Sequence, residues 1–280
     1  MSPGHLFLVV RAEVSRVFQH PAGRLGLVLA GLCGLAGPLF IFWLGTSGAE
    51  FNGRPVEETL PWNAPGGILW SLNLRNLSHM MRIALIAVVA VFVAGEIRQR
   101  TLREALLRPV PRYVVPLAKW SAMACWVLAA NLLTWCSATL VGALLLGTDG
   151  NWSKAASVLG HTMIGDLGMA ATALALAILT RSVAGTMVAT FMLVLANWSS
   201  RGMLFIIEEI ARQAEQPSIE SAIQVLRPFA PSYALDSWTG ASFAMLSLGD
   251  DAIKPMITLF LWTVGCLALA AWRLGQLDLD

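Results

Sequence analysis

The sequence predicts an all-α, polytopic membrane protein. It has six transmembrane helices, an N-terminal interfacial amphipathic helix, one short cytoplasmic helix and short outer helices before the last span. Three observations predict this. First, 56% of the 280 residues are hydrophobic and only 13% are charged, with a mean hydropathy of +0.66. Soluble domains run about 45–50% apolar and about 25% charged. Second, six stretches reach the roughly 20 mostly apolar residues that a membrane helix needs: residues 25–44, 77–95, 117–146, 155–179, 183–207 and 253–274. Third, the few charges are sorted along the chain. The composition argues against a soluble enzyme, a disordered chain and a nucleic-acid binder, and only 3 of the 19 basic residues are lysines.

Six spans put both termini on one side. The N-terminal segment, 96–119, Arg181 and the C-terminal segment carry 11 basic and 5 acidic residues, a net of +6, and the remainder nets −4. The basic side is the cytoplasm by the positive-inside bias. The expected protein is therefore a multi-pass chain of the plasma membrane, the inner membrane in a bacterium, with both termini cytoplasmic. It reads as a single domain over 1–280, with 1–24 cytoplasmic, a cytoplasmic loop over 96–116 and an outer loop over 208–252.

Residues 5–20 space Phe7, Val10, Val14 and Val17 as a helical stripe, with Arg11, Ser15, Arg16 and Gln19 largely off it. Such a helix lies in the membrane interface. Pro21 ends it, because the residue before a proline is pushed out of helical geometry. The first span that follows has no small-residue cleavage site and is not read as a removable signal. It carries Gly23, Gly26, Gly31, Gly34 and Gly37, suited to close helix packing across a dimer or within one subunit, and Pro38 predicts a kink.

The cytoplasmic stretch 96–119 is the most informative. Thr101 and Glu104 match a capping box, so a helix starts at Thr101. Leu102, Leu106 and Leu107 give it an apolar face, Arg98, Arg100, Arg103 and Arg108 give it charge, and Pro109 ends it. Two turns of helix are not stable alone in water, so this one needs a partner surface. Gly95-Glu96, Thr101-Leu102, Leu106-Leu107, Pro109, Arg112 and Lys119 follow the second span in the order and spacing of a known signature. In this the chain resembles the permease subunits of type-2 ABC exporters, and Arg100 stands where that family usually has glycine. The segment Pro228-Phe-Ala-Pro231-Ser-Tyr233 resembles the subgroup of nitrous-oxide-reductase maturation and gliding-motility permeases.

The resemblance implies that Thr101–Arg108 is a coupling helix seated on a separate cytoplasmic ATPase, with Glu96, Arg98, Pro109 and Arg112 flanking the contact. It implies that two copies of the chain, or the chain and a close homologue, pair with two ATPase subunits. The residues agree that ATP is hydrolysed elsewhere. A phosphate loop needs Gly-Lys followed by Ser or Thr, and Lys119, Lys154 and Lys254 follow Ala, Ser and Ile. No cofactor is expected on this chain. ATP and magnesium belong to the partner. Besides the ATPase, the expected partners are the bilayer and, less directly, an outer protein, and no nucleic acid.

Asp166 falls near the middle of the fourth span. Intramembrane carboxylates are costly and face a partner or a cavity. Arg82, near the outer end of the second span, is its candidate partner, although snorkelling to the outer headgroups is the simpler role for that arginine. Asn197, within Asn197-Trp-Ser-Ser-Arg201-Gly202, predicts a turn or exit from the membrane near the end of the fifth span. Beyond it, residues 204–214 and 218–225 predict two short outer helices. His79, Met80 and Met81, with His161 and Met163, have soft-metal donors but read better as apolar filler, so no metal site is expected. Cys33, Cys125, Cys136 and Cys266 lie in apolar runs and read as buried hydrophobes.

Other classes fit less well. A zinc protease needs H-E-x-x-H, and a rhomboid-like protease needs a serine nucleophile with a histidine on a facing span. A secondary transporter usually shows inverted repeats and several buried charges. A plain anchor has no use for the 96–119 pattern. The expected function is export driven by a separate ATPase. Transmission of ATP energy to an outer partner without transport, and ion-coupled transport, are the alternatives.

Overall fold

The computed structural model describes residues 3–48, 50–51, 54–55, 80–99, 111–146, 152–214, 216–226 and 253–276. Helix α1 spans Pro3–Gln19 and α2 spans Pro21–Thr46. His20 between them is extended (φ −67°, ψ 136°), and its Nδ1 accepts the Ala22 backbone N–H at 3.2 Å, which caps α2. The break before Pro21 thus falls where the proline requires it. Strands β1 (Glu50–Phe51) and β2 (Arg54–Pro55), two residues each, pair antiparallel, which the sequence did not predict.

Helix α3 covers Met80–Val89, continues as a π-helical segment over Ala90–Ala94 and ends as α4, Gly95–Arg98. Then come α5 (Val114–Leu146), α6 (Trp152–Thr180), α7 (Val183–Gln213), α8 (Pro217–Leu226) and α9 (Ile253–Gly275). Among the described residues, four stretches are long and apolar enough to cross a membrane: Pro21–Thr46, Val114–Leu145, Met163–Thr180 and Met256–Gly275. Of the two other expected spans, the apolar part of α7 is shorter, Val183–Ala196, and α3 is described from Met80 onward, its α-helical part Met80–Val89 leading into the π-helical segment.

One expectation about a helix end needs correction. Helix α7 runs unbroken through Asn197–Gly202 to Gln213, so the fifth span does not turn there and the first outer helix is its continuation. Asn, Ser and Gly each cost a helix at most about 1 kcal/mol, and no proline enforces a stop. Helix α2 keeps Pro38 inside it.

The buried core lies where α3, α5 and α6 meet, with Leu85, Val89, Met123, Trp126, Leu174 and Ile178 at its centre. Helix α5 is the organiser, packing on α1, α2, α6 and α9. It clasps α2 through side chains that donate to backbone carbonyls. Trp126 Nε1 donates to Gly23 O at 3.0 Å, Thr134 Oγ1 to Ala30 O at 2.9 Å and Ser137 Oγ to Gly31 O at 3.0 Å. The glycines make this approach possible: a Cβ on Gly26 would overlap the Trp126 ring, and one on Gly34 would overlap Ser137 Oγ and the Thr134 carbonyl. These glycines therefore serve packing inside one subunit. The outward face of α2 is left to Leu25, Val28, Leu32 and Leu39, all exposed.

Candidate functional site: a buried lysine between three helices

Lys119 sits one turn into α5, only 1% exposed. Its Nζ lies 2.7 Å from Glu96 Oε2 on α4 and 3.0 Å from Glu13 Oε2 on α1. It also lies 4.7 Å from the centre of the Phe92 ring in the π-helical segment, a cation–π contact. Arg16 closes the set more loosely, 3.5 Å from Glu13 and 3.8 Å from Glu96. Two carboxylates and two cations leave the cluster neutral, which a buried charge requires.

Each element brings its member for a local reason. Glu13 is one turn before Arg16 on α1, on the side packed against α5. Glu96 follows the π-helical segment directly. A π turn inserts an extra residue into the helical register and is often found at functional sites. The cluster ties Glu96, just before residues 100–110, to Lys119, just after them, and ties both to the N-terminal helix. Charge-assisted bonds of this kind are about twice as strong as neutral ones, and the burial of Lys119 raises the cost of leaving it unpaired.

The sequence-derived residues fall into three groups. Glu96 and Lys119 are brought together, and Arg98 is exposed beside them. Arg112 Nη1 donates to Gly275 O at 2.8 Å, so it pins the start of α5 to the end of α9. Arg100, Thr101, Leu102, Arg103, Glu104, Leu106, Leu107, Arg108 and Pro109 lie outside the described residues. Glu13 was missed, because a lone acid on a basic helix carries no motif.

Elsewhere Asp166 is buried and accepts a hydrogen bond from Asn131 Nδ2 at 3.1 Å. Arg82 is buried, 8% exposed. Asn197 lies within α7, its side chain outside the described set. His79 and the side chains of Met81 and His161 are also outside it, and among the described residues no group of His, Cys, Asp and Glu is arranged to hold a metal. The four cysteines are free, Cys125 and Cys136 exposed rather than buried. At the far end of α7, hydrogen bonds from Arg212 and Gln213 hold the exposed Glu209 carboxyl below its ordinary range.

A model of the ABC-2 family transporter proteins matches residues 32–197, more than half of the chain. The chain belongs to that family. It is a multi-pass membrane protein, the permease subunit of an ABC transporter, and such subunits work with an ABC ATPase subunit. No curated protein matches it.

Proposed function

We propose that the chain is the permease of an ATP-driven exporter in the bacterial inner membrane, with both termini cytoplasmic and two copies, or a copy and a close homologue, in the complex. The cytoplasmic ATPase seats on Thr101–Arg108. The observation that carries this reading is the Lys119 cluster, because it braces both flanks of that segment. A push on an unbraced loop would be absorbed by its backbone. Here it reaches α4 and α5 together and α1 with them. Helix α5 in turn grips α2 through Trp126, Thr134 and Ser137, so the movement passes to the first span. The π-helical segment Ala90–Ala94 supplies a place where α3 and α4 can change register.

The sorting of charge supports the cytoplasmic placement of the α1 end. The substrate moves outward from the cytoplasm or the inner leaflet. The likeness of Pro228–Tyr233 to the maturation and gliding permeases favours a second reading, in which the same stroke works on an outer protein. Co-purification with an ATPase encoded beside this chain tests the contact. Arg103→Glu with Arg108→Glu is expected to lose the ATPase at wild-type expression, and retention of a stoichiometric complex would refute the placement.

A further inference from the structure

A cavity of about 960 Å³ lies between α1 and the segment Val91–Gln99. One part of its wall is apolar, formed by Val9, Val91, Phe92 and Val115. Another part carries Arg16, His20 and Arg98. The acids that line it, Glu13 and Glu96, are already engaged by Lys119 at 3.0 and 2.7 Å. Arg16 reaches them only at 3.5 and 3.8 Å, with its side chain 54% exposed. A half-exposed guanidinium at those distances is held weakly. Arg98 is exposed and makes no hydrogen bond or ion pair with the described residues. Arg11, Arg24 and Arg112 are exposed on the same end of the molecule, so the surrounding field is positive.

An apolar wall beside under-used arginines, at the end of membrane-crossing helices, has the chemistry of one ligand class. Basic pockets between helices near the interface take anionic headgroups, and guanidinium groups bind phosphate through paired N–H donors. We infer that the cavity binds an anionic phospholipid from the leaflet facing the α1 end, its phosphate at Arg16 and Arg98 and an acyl chain along Val9, Val91, Phe92 and Val115. A neutral, zwitterionic lipid would leave the positive charge unmatched. The bound lipid would wedge α1 against the π-helical segment, beside the Lys119 cluster. This inference needs only the membrane placement of the chain and stands apart from the ATPase reading.

The test uses the full chain in nanodiscs of phosphatidylcholine with phosphatidylglycerol, and reads by native mass spectrometry the lipid retained after extraction. The wild-type chain is expected to keep phosphatidylglycerol several-fold over phosphatidylcholine. Arg16→Gln with Arg98→Gln is expected to lose that preference, and Arg16→Lys with Arg98→Lys to keep part of it. Gly95 also lines the cavity, and a Cβ there meets open space, so Gly95→Leu is expected to expel the lipid while leaving both arginines; it decides alone if the glutamine variant does not fold. No preference in the wild type, or an unchanged preference in Gly95→Leu and the glutamine variant, would overturn the inference. So would inorganic phosphate raising the melting temperature as much as phosphatidylglycerol does, because the site would then take a free anion and no lipid.

Discussion

Lys119 Nζ and Glu96 Oε2, 23 positions apart in sequence, meet at 2.7 Å, the lysine buried and the carboxylate partly so. With Glu13 they join the N-terminal helix to both flanks of the segment that the family resemblance assigns to the ATPase. Removal of the lysine alone leaves two carboxylates with only the more loosely placed Arg16 to balance them. Lys119→Met is expected to cost about 3–5 kcal/mol, as broken buried pairs do, read as a fall in melting temperature of the purified protein. The triple change Glu13→Gln, Glu96→Gln and Lys119→Met removes every formal charge of that trio and is expected to recover most of the loss.

The grip of α5 on α2 yields a contrast between neighbouring glycines. Gly34→Ala forces a methyl group onto Ser137 Oγ and the Thr134 carbonyl, and overpacking of this kind costs about 1–3 kcal/mol. Gly31→Ala meets only Leu133 side-chain atoms at 3.6 Å, an ordinary contact, and is expected to be neutral or slightly stabilising. Thermal unfolding of the two variants in one detergent checks the difference. Equal melting temperatures would contradict the packing described.

Trp126→Phe keeps the ring in the core but removes the donor that satisfies Gly23 O at 3.0 Å. Gly23 O keeps its helical N–H partner within α2, so the change loses one additional hydrogen bond, about 0.5–1.5 kcal/mol. The expected readout is a lowered melting temperature together with faster proteolysis near the α1–α2 junction. Proteolysis unchanged from wild type would argue against Trp126 as the tie at that end.

Asp166 accepts from Asn131, and Asn131 Nδ2 also donates to Val127 O at 2.9 Å. Asp166→Ala is expected to reduce transport or the yield of assembled protein. Wild-type yield and activity in that variant would remove Asp166 from the account.

Much of the architecture was legible, because membrane solvation leaves a strong local signal. The α1–α2 break was readable from His20-Pro21, since a proline restricts its predecessor whatever lies around it. Glu96 and Lys119 were each visible through the signature after the second span. Their pairing was not, and Glu13 was invisible, because a contact across 106 positions leaves no trace in local spacing. The turn expected at Asn197–Gly202 does not form, because a few polar residues look like a stop yet cost little against tertiary packing. The segment Ala90–Ala94 has the same apolar composition in α or π geometry. The glycines of α2 announced close packing, but only the structure names α5 as the neighbour.

The most direct test of the central claim is the ATP hydrolysis rate of the purified complex in nanodiscs, with the wild-type permease and with the triple-neutral variant at Glu13, Glu96 and Lys119. With both complexes holding the same amount of ATPase, the variant is expected to lose most of the stimulation that the permease gives, several-fold or more. Full stimulation in the variant, with the ATPase still bound, would contradict the claim that the Lys119 cluster carries the stroke.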